Sequence, residues 1–491
     1  STIFVLKQIS KMEKSICATF LLCISLFKEG FGAENLTLEK LNGEDISTFK
    51  HPNYVDKTLM LKAVMDGEKN LLLLAPNRFG KTLNTHMLKH FFSIPPHSKE
   101  KNNTLEIFRS LKINKEYPDF VEQNFGKFPV MYLNFNIYCN TLHFNHMHLL
   151  FSKMVEETLQ KYSYLKFSPG LTLSEIDVFK RWCDDGRIYM TTKEIDTALN
   201  TLLFFLHRHH DRKIFLIIDD FDATLTQLKS IAWEESSVIT YLRRQLTRLI
   251  AHQDLLEKVV ITGVSGESAF ACFSDVVHYR FLDDHRYTEY FGFTESEVRQ
   301  LMVKNRIDDV GYDEIRQRYG GYTTINNMTI YNPCYVFNYM QGRVVTNYGV
   351  HSGDFRGEMF NFLKSHLHLR IFISLYMGNP TRFQYHKGVP IFNTNQMLSL
   401  HMFLTFLIEQ GYVAWGPVGY VHTPNTEMKN EILSIVLKLI YAPIENRYKH
   451  GVIIQKVIQQ FNLTSLIEDG MKLKRGIFLR NNLKNSTLHR K

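Results

Sequence analysis

Beyond its first 33 positions the sequence has no unbroken apolar run of about 18 residues, so no later segment is expected to cross a membrane as a helix. It has no Cys-x-x-Cys, which removes the usual zinc-ribbon and dithiol redox signatures. It has neither Gly-x-Ser-x-Gly nor His-Glu-x-x-His, which argues against a serine hydrolase elbow and a helical zinc protease site. There is no internal repeat and no low-complexity tract, which argues against a solenoid and a long disordered region. Charge of one sign is not in large excess either. Lys and Arg number 58 against 49 Asp and Glu, a net +9 that suits a polyanionic partner without demanding one.

What is present is ordinary globular composition, 44% hydrophobic and 22% charged, over 491 residues. That length suits two or three domains. Met12-Glu13-Lys14 precedes the apolar run 16–27, followed by small residues at Gly30, Gly32 and Ala33. This reads as a signal segment over 1–33 and sets secretion as the expectation, with a cytoplasmic chain as the alternative. Sequons at Asn35, Asn102, Asn327, Asn462 and Asn485 agree with it, each weakly. Cys17 and Cys23 would leave with the signal. Cys139, Cys183, Cys272 and Cys334 read as buried thiols, although two disulfides remain open. The last 21 positions hold Lys472, Lys474, Arg475, Arg480, Lys484, Arg490 and Lys491 and no acid. They read as a solvated tail, so nucleic acid is not the expected partner.

Hydrophobic patterning places wholly apolar strands at 71–74, 130–135, 214–218 and 259–261, with a fifth at 277–281. Helical stretches separate them, which predicts a parallel sheet covered on both faces. From about residue 290 the pattern turns mainly helical, with short extended pieces around 411–420. Thr294 with Glu297 reads as a capping box opening the first of those helices.

The chemistry concentrates in residues 71–82, LLLLAPNRFGKT. A phosphate-binding loop presents backbone amides and a helix N-terminus to phosphate, a lysine reaches the terminal oxygens, and the following Ser or Thr holds Mg²⁺. Gly80, Lys81 and Thr82 fill these places, and only the first glycine of the pattern is replaced, by Ala75. A second element is KIFLIIDDFD at 213–222, an apolar strand ending in Asp219 and Asp220. The first acid would hold Mg²⁺ and the second would orient the attacking water. The long separation of the two elements suits an ATPase with an extra strand inserted between them. Elsewhere, His143, His146 and His148, and His207, His209 and His210, lack acids or cysteines at ligand spacing and read as surface or core histidines.

The ordered set YVDKT (54–58), APNRFGKT (75–82), LIIDDFDA (216–223), ITG (261–263), YFGFTESEV (290–298), RYGGY (318–322) and IYNP (330–333) resembles the AAA-ATPase-like domain family. That family is common in bacteria and often fused to a C-terminal PD-(D/E)XK nuclease-like domain. The likeness runs over about 45–430. The family's loop also lacks the first glycine, so the resemblance implies nucleotide contacts by Pro76, Arg78, Phe79, Gly80, Lys81 and Thr82. It implies magnesium held by Thr82 and Asp219, with Lys81 and Asp220 as the catalytic pair. Three departures stand out. Asp220 replaces the family's glutamate and is one methylene shorter. Gly266 and Ala269 stand where Arg and Lys are usual. The sequence reads as lacking the nuclease half, and Glu427 and Lys429 read as solvated helix residues.

The expected architecture is therefore an α/β P-loop domain at 45–290, a mainly helical domain at 291–435, and a helical remnant with the basic tail at 436–491. The expected function is ATP–Mg²⁺ binding with slow ATP hydrolysis. The alternative is a secreted interaction protein on a degenerate, non-hydrolysing scaffold. A protein partner is expected but not identified, and assembly into an oligomer stays open.

Overall fold

The computed structural model describes residues 43–95, 98–137, 143–183, 190–224, 237–266, 273, 276–283, 286–342, 356–383, 396–417 and 419–440. The signal segment, the basic tail, Cys139, Cys272 and the sequons at Asn35, Asn462 and Asn485 lie outside these residues.

Five parallel strands make the central sheet: β1 (Asn70–Leu74), β2 (Val130–Asn134), β3 (Ile214–Asp219), β4 (Leu256–Gly263) and β5 (Val277–Tyr279). Their spatial order is β2-β3-β4-β1-β5. β2, the strand between the two motifs in sequence, lies at an edge of the sheet. The strand that separates β1 from β3 in space is β4, which follows both motifs and pairs with each. It runs longer than the apolar core at 259–261 indicated, because Leu256 and Lys258 still pair with β3. β5 is shorter than 277–281 and stops at Tyr279.

The strands are apolar throughout because both faces are covered. Leu71, Leu73, Phe215 and Ile217 join one core, and Leu72, Leu74, Leu216 and Ile218 join the other, as strand alternation requires. Helices α1 (Leu59–Asp66) and α2 (Lys81–Phe92) cover the first face, α2 through Met87, Leu88, Phe91 and Phe92. Helices α3 (Phe144–Lys161), α4 (Thr192–His210) and α5 (Ser237–Ala251) cover the second, through Phe151 and Val155, Leu199 and Leu203, and Leu242 and Leu246.

The rest is mainly helical: α6 (Glu295–Asn305), α7 (Asp309–Tyr319), α8 (Pro333–Gly342), α9 (His366–Tyr376), α10 (Gln396–Glu409) and α11 (Thr426–Ile440), with a short helix at Arg356–Phe362. Two small antiparallel sheets join them. β6 (Phe293–Thr294) and β7 (Tyr322–Thr323) flank β8 (Thr329–Tyr331), while β9 (Thr381–Arg382) and β10 (Ala414–Trp415) flank β11 (Tyr420–His422). The capping box forms: the Thr294 amide donates to Glu297 at 2.8 Å and the Glu297 amide to the Thr294 hydroxyl at 3.4 Å. Glu427 corrects its reading as solvated. It is 2% exposed in the first turn of α11, where Met428 and Ile432 pack into the core, while Lys429 is half-buried. Cys183 and Cys334 are thiols. Asn102 and Asn327 are exposed.

Candidate functional site: the edge of β1, β3 and β4

Parallel strands carry their side chains and loops to a common C-terminal edge, and here three strands end together. β1 passes into the loop 75–80 and then α2. Gly80 caps that helix with φ +92°, a left-handed conformation that glycine adopts without strain. The space around it is open, so the requirement is conformational. Arg78 is also left-handed, at φ +71°, and its side chain is exposed.

Lys81 lies in the first turn of α2 and is buried. Its ammonium donates to Ala75 O at 3.1 Å, Pro76 O at 3.3 Å and Asn77 Oδ1 at 3.2 Å, and lies 3.6 Å from Asp220 Oδ1. The loop therefore curls around the lysine, with one carboxylate of β3's end facing it. Thr82 follows and interacts with Asp219.

Asp219 is the last residue of β3 and has no exposed surface. Thr262 on β4 donates to Oδ1 at 2.5 Å, and Tyr132 on β2 donates to Oδ2 at 3.1 Å. Burial, and then the charge of Asp220, push the Asp219 carboxyl above its usual range, while Thr262, Thr82 and Lys81 pull it back. Asp220 adopts φ +49°, a turn that aspartate tolerates. Its amide donates to Thr262 Oγ1 at 3.2 Å, so one hydroxyl serves both acids.

Asp222 does not stand in for a water-orienting glutamate. It is buried, and its Oδ2 accepts from the amides of Val264 at 3.0 Å and Ser265 at 2.5 Å. Burial pushes its carboxyl up to about 6. Gly263 makes this closure fit, since a Cβ there would meet Phe221 at 2.4 Å and Asp222 at 2.8 Å.

Residues 46–270 match the family model AAA-ATPase-like, described as a predicted AAA-ATPase. This segment is an AAA-ATPase-like domain. No curated protein matches the chain. Among solved structures, the crystal structure of Cdc6p from Pyrobaculum aerophilum aligns over 84% of this chain and 98% of its own, at 11% identity. The TM-score of that alignment is 0.26.

Within the AAA-ATPase-like domain, the residues named from sequence separate by role. Lys81, Thr82, Asp219 and Asp220 meet at one edge. Pro76 and Phe79 face the helical region instead. Phe79 is 1% exposed, with its ring 4.7 Å from Phe281 and 5.1 Å from Tyr322, and its carbonyl accepts from Gly292 at 3.2 Å. What Phe79 can offer phosphate is its backbone amide. Gly411 approaches Pro76 so closely that a Cβ would sit 3.3 Å from its ring. Arg244 lies over the Tyr241 ring at 5.5 Å on helix α5, which covers the opposite face of the sheet. Gly266 lies beside buried Glu409, where a Cβ would meet Oε1 at 2.5 Å. Ala269 falls outside the described residues.

YVDKT is structural. Lys57 pairs with Glu297 at 2.7 Å, and Asp56 accepts from the Thr58 amide at 2.9 Å and the Lys112 amide at 2.7 Å. Sequence reasoning missed Tyr132 and the double role of Thr262. The second was within reach, as ITG ends a strand, but nothing in VMYLN marks its tyrosine. The histidines find ordinary partners, such as Ser168 for His209 at 2.7 Å and Tyr164 for His210 at 3.0 Å. Among the described residues no three His, Cys, Asp or Glu side chains are placed to share a metal ion.

Proposed function

We propose that this chain binds ATP with magnesium at the β1–β3–β4 edge and hydrolyses it slowly. The observation that carries the reading is the meeting of Lys81, Thr82, Asp219 and Asp220 at the end of adjacent parallel strands, beside a glycine-capped helix N-terminus. Open α/β sheets bind ligands at that edge, and helix N-termini favour phosphate. The donors around the metal position, a hydroxyl and a carboxylate, are the hard oxygens that magnesium takes. When bound there, magnesium would supply positive charge against the phosphates. Lys81 would exchange its loop carbonyls for the β- and γ-phosphates, Thr82 and Asp219 would hold the metal, and Asp220 would orient water. Slowness follows from the shorter Asp220, the engagement of Asp222 with backbone, and the absence of an arginine or lysine at Gly266.

The test is Mg²⁺-dependent ATP binding and turnover by the full chain beside Lys81→Ala. Binding lost in the variant supports the site, and equal affinity rejects it. A second reading, a secreted interaction protein on a non-hydrolysing scaffold, draws support from the exposure of the sequons at Asn102 and Asn327. Glycan on either residue in protein from its native source, with binding but no turnover, would favour it.

A further inference from the structure

We infer that Tyr132 is the positioning residue that sets the Asp219 carboxylate for the divalent metal. The inference rests on the ATP–magnesium reading of the site. Asp219 sits at zero exposure, so solvent cannot orient its carboxylate, and only its protein partners can. Thr262 fixes Oδ1 from one neighbouring strand. Tyr132 fixes Oδ2 from the other, at 3.1 Å. The two donors come from opposite sides of β3, since the sheet order is β2-β3-β4. Together they pin both oxygens, and with them the rotation of the carboxylate that Thr82 faces.

Tyr132 is itself held. The strand register places Tyr132 opposite Ile217 and Asn134 opposite Asp219, so the tyrosine and the acid share a face of the sheet two residues apart. Its ring packs on His86 of α2 at 5.0 Å, and the Lys89 ammonium lies 5.3 Å above it. Its amide accepts no freedom either, as it donates to the Tyr162 hydroxyl at 3.2 Å. The phenol is thus a buried donor on a fixed ring, aimed at a carboxylate that would bind metal. Partners of this kind commonly change metal affinity by about 10–100-fold when removed. Without Tyr132, Oδ2 loses this donor, and the hold on the carboxylate is left to Thr262 and Thr82.

The experiment uses the full chain with Tyr132→Phe, which deletes one oxygen and keeps the ring. Mn²⁺ serves as the metal probe, with free Mn²⁺ read by electron paramagnetic resonance in the presence of ATP. ATP affinity is measured separately in EDTA, and melting temperatures are recorded for every variant. The expected result is Mn²⁺ affinity weakened by about 10-fold or more, with metal-free ATP affinity within about twofold of wild type. Equal Mn²⁺ affinity in Tyr132→Phe, or equal weakening of metal-free ATP binding, would overturn the inference. If wild type binds neither ATP nor Mn²⁺–ATP, the functional reading itself fails, which is a different outcome. An Asp219→Asn background gives a second measurement. There Tyr132→Phe should add no further loss, and an undiminished effect would show that the tyrosine acts by another route.

Discussion

The Lys81 ammonium lies 3.6 Å from Asp220 Oδ1, at the point where phosphate would enter. The carboxylate occupies the lysine before any nucleotide does. On the proposed reading ATP would displace it, and displacement would also release Asp220 to face water. Asp220→Asn removes the competing charge. Its expected effect is ATP binding tightened by about fivefold, the equivalent of about 1 kcal/mol for a partly solvated ion pair. Turnover should fall by about 100-fold or more, since the group proposed to orient water is gone. Calorimetric ATP affinity and steady-state rates on the same preparation read both. Weaker binding in the variant would show that Asp220 helps hold nucleotide.

Thr262 joins the two acids through one oxygen, donating to Asp219 at 2.5 Å and accepting from the Asp220 amide at 3.2 Å. Thr262→Val keeps the shape and leaves a buried carboxylate oxygen and an amide short of partners. A stability loss of about 1–3 kcal/mol is expected, with turnover reduced by about 100-fold through misplacement of both acids. Thr262→Ser should recover most of each. Thermal melts and rates for the pair check this, and a valine variant with normal turnover would remove Thr262 from the site.

The sheet was readable because its physics is local. Strands such as 214–218 are apolar at every position only when both faces are covered, and the loop glycine and lysine follow a strand directly. The strand between the two motifs was legible at 130–135, but that β4 is the one that separates β1 from β3 depends on pairing that no local pattern encodes. Asp222 shows the limit. In sequence it is a third acid beside Asp219 and Asp220, and only the fold reveals that it closes onto two amides. Glu427 shows the same limit in a helix, where an acid in a first turn looks solvated until tertiary packing covers it. Tyr132 was invisible because an aromatic on a strand is ordinary, and its hydroxyl gains meaning only from the neighbouring strand.

Gly292 connects the helical region to the phosphate loop. It sits at φ +101°, its amide donates to Phe79 O at 3.2 Å, and an added Cβ would lie 2.1 Å from Ile330 Cγ2. Gly292→Ala is strained in backbone and crowded against β8. A loss of about 2–4 kcal/mol is expected from the two effects together. ATP affinity should fall with it, because the Phe79 segment that leads into Gly80 and Lys81 loses its anchor. Chemical denaturation and ATP titration read the two consequences. Reduced stability with unchanged affinity would show that the loop holds its shape without this contact.

Asp222 makes a pH prediction whose sign is opposite to the usual carboxylate. Burial raises its carboxyl to about 6 in the folded chain, against about 3.9 when unfolded. Between those values the folded state holds a proton that the unfolded state has released. Stability from this group therefore falls as pH rises from about 4 to about 6, and levels off above. His90 and His210 are held down to about 4 by burial and act in the reverse direction, losing stability as pH falls below their unfolded range. Subtracting curves isolates Asp222. Asp222→Asn keeps an oxygen for the Val264 and Ser265 amides but never ionises. Its stability relative to wild type should be about equal near pH 4 and greater by about 2–3 kcal/mol at pH 7. Denaturation curves across that range decide the matter. Parallel profiles would mean that the two amides and the nearby Lys81 stabilise the ionised carboxylate fully, leaving burial without effect.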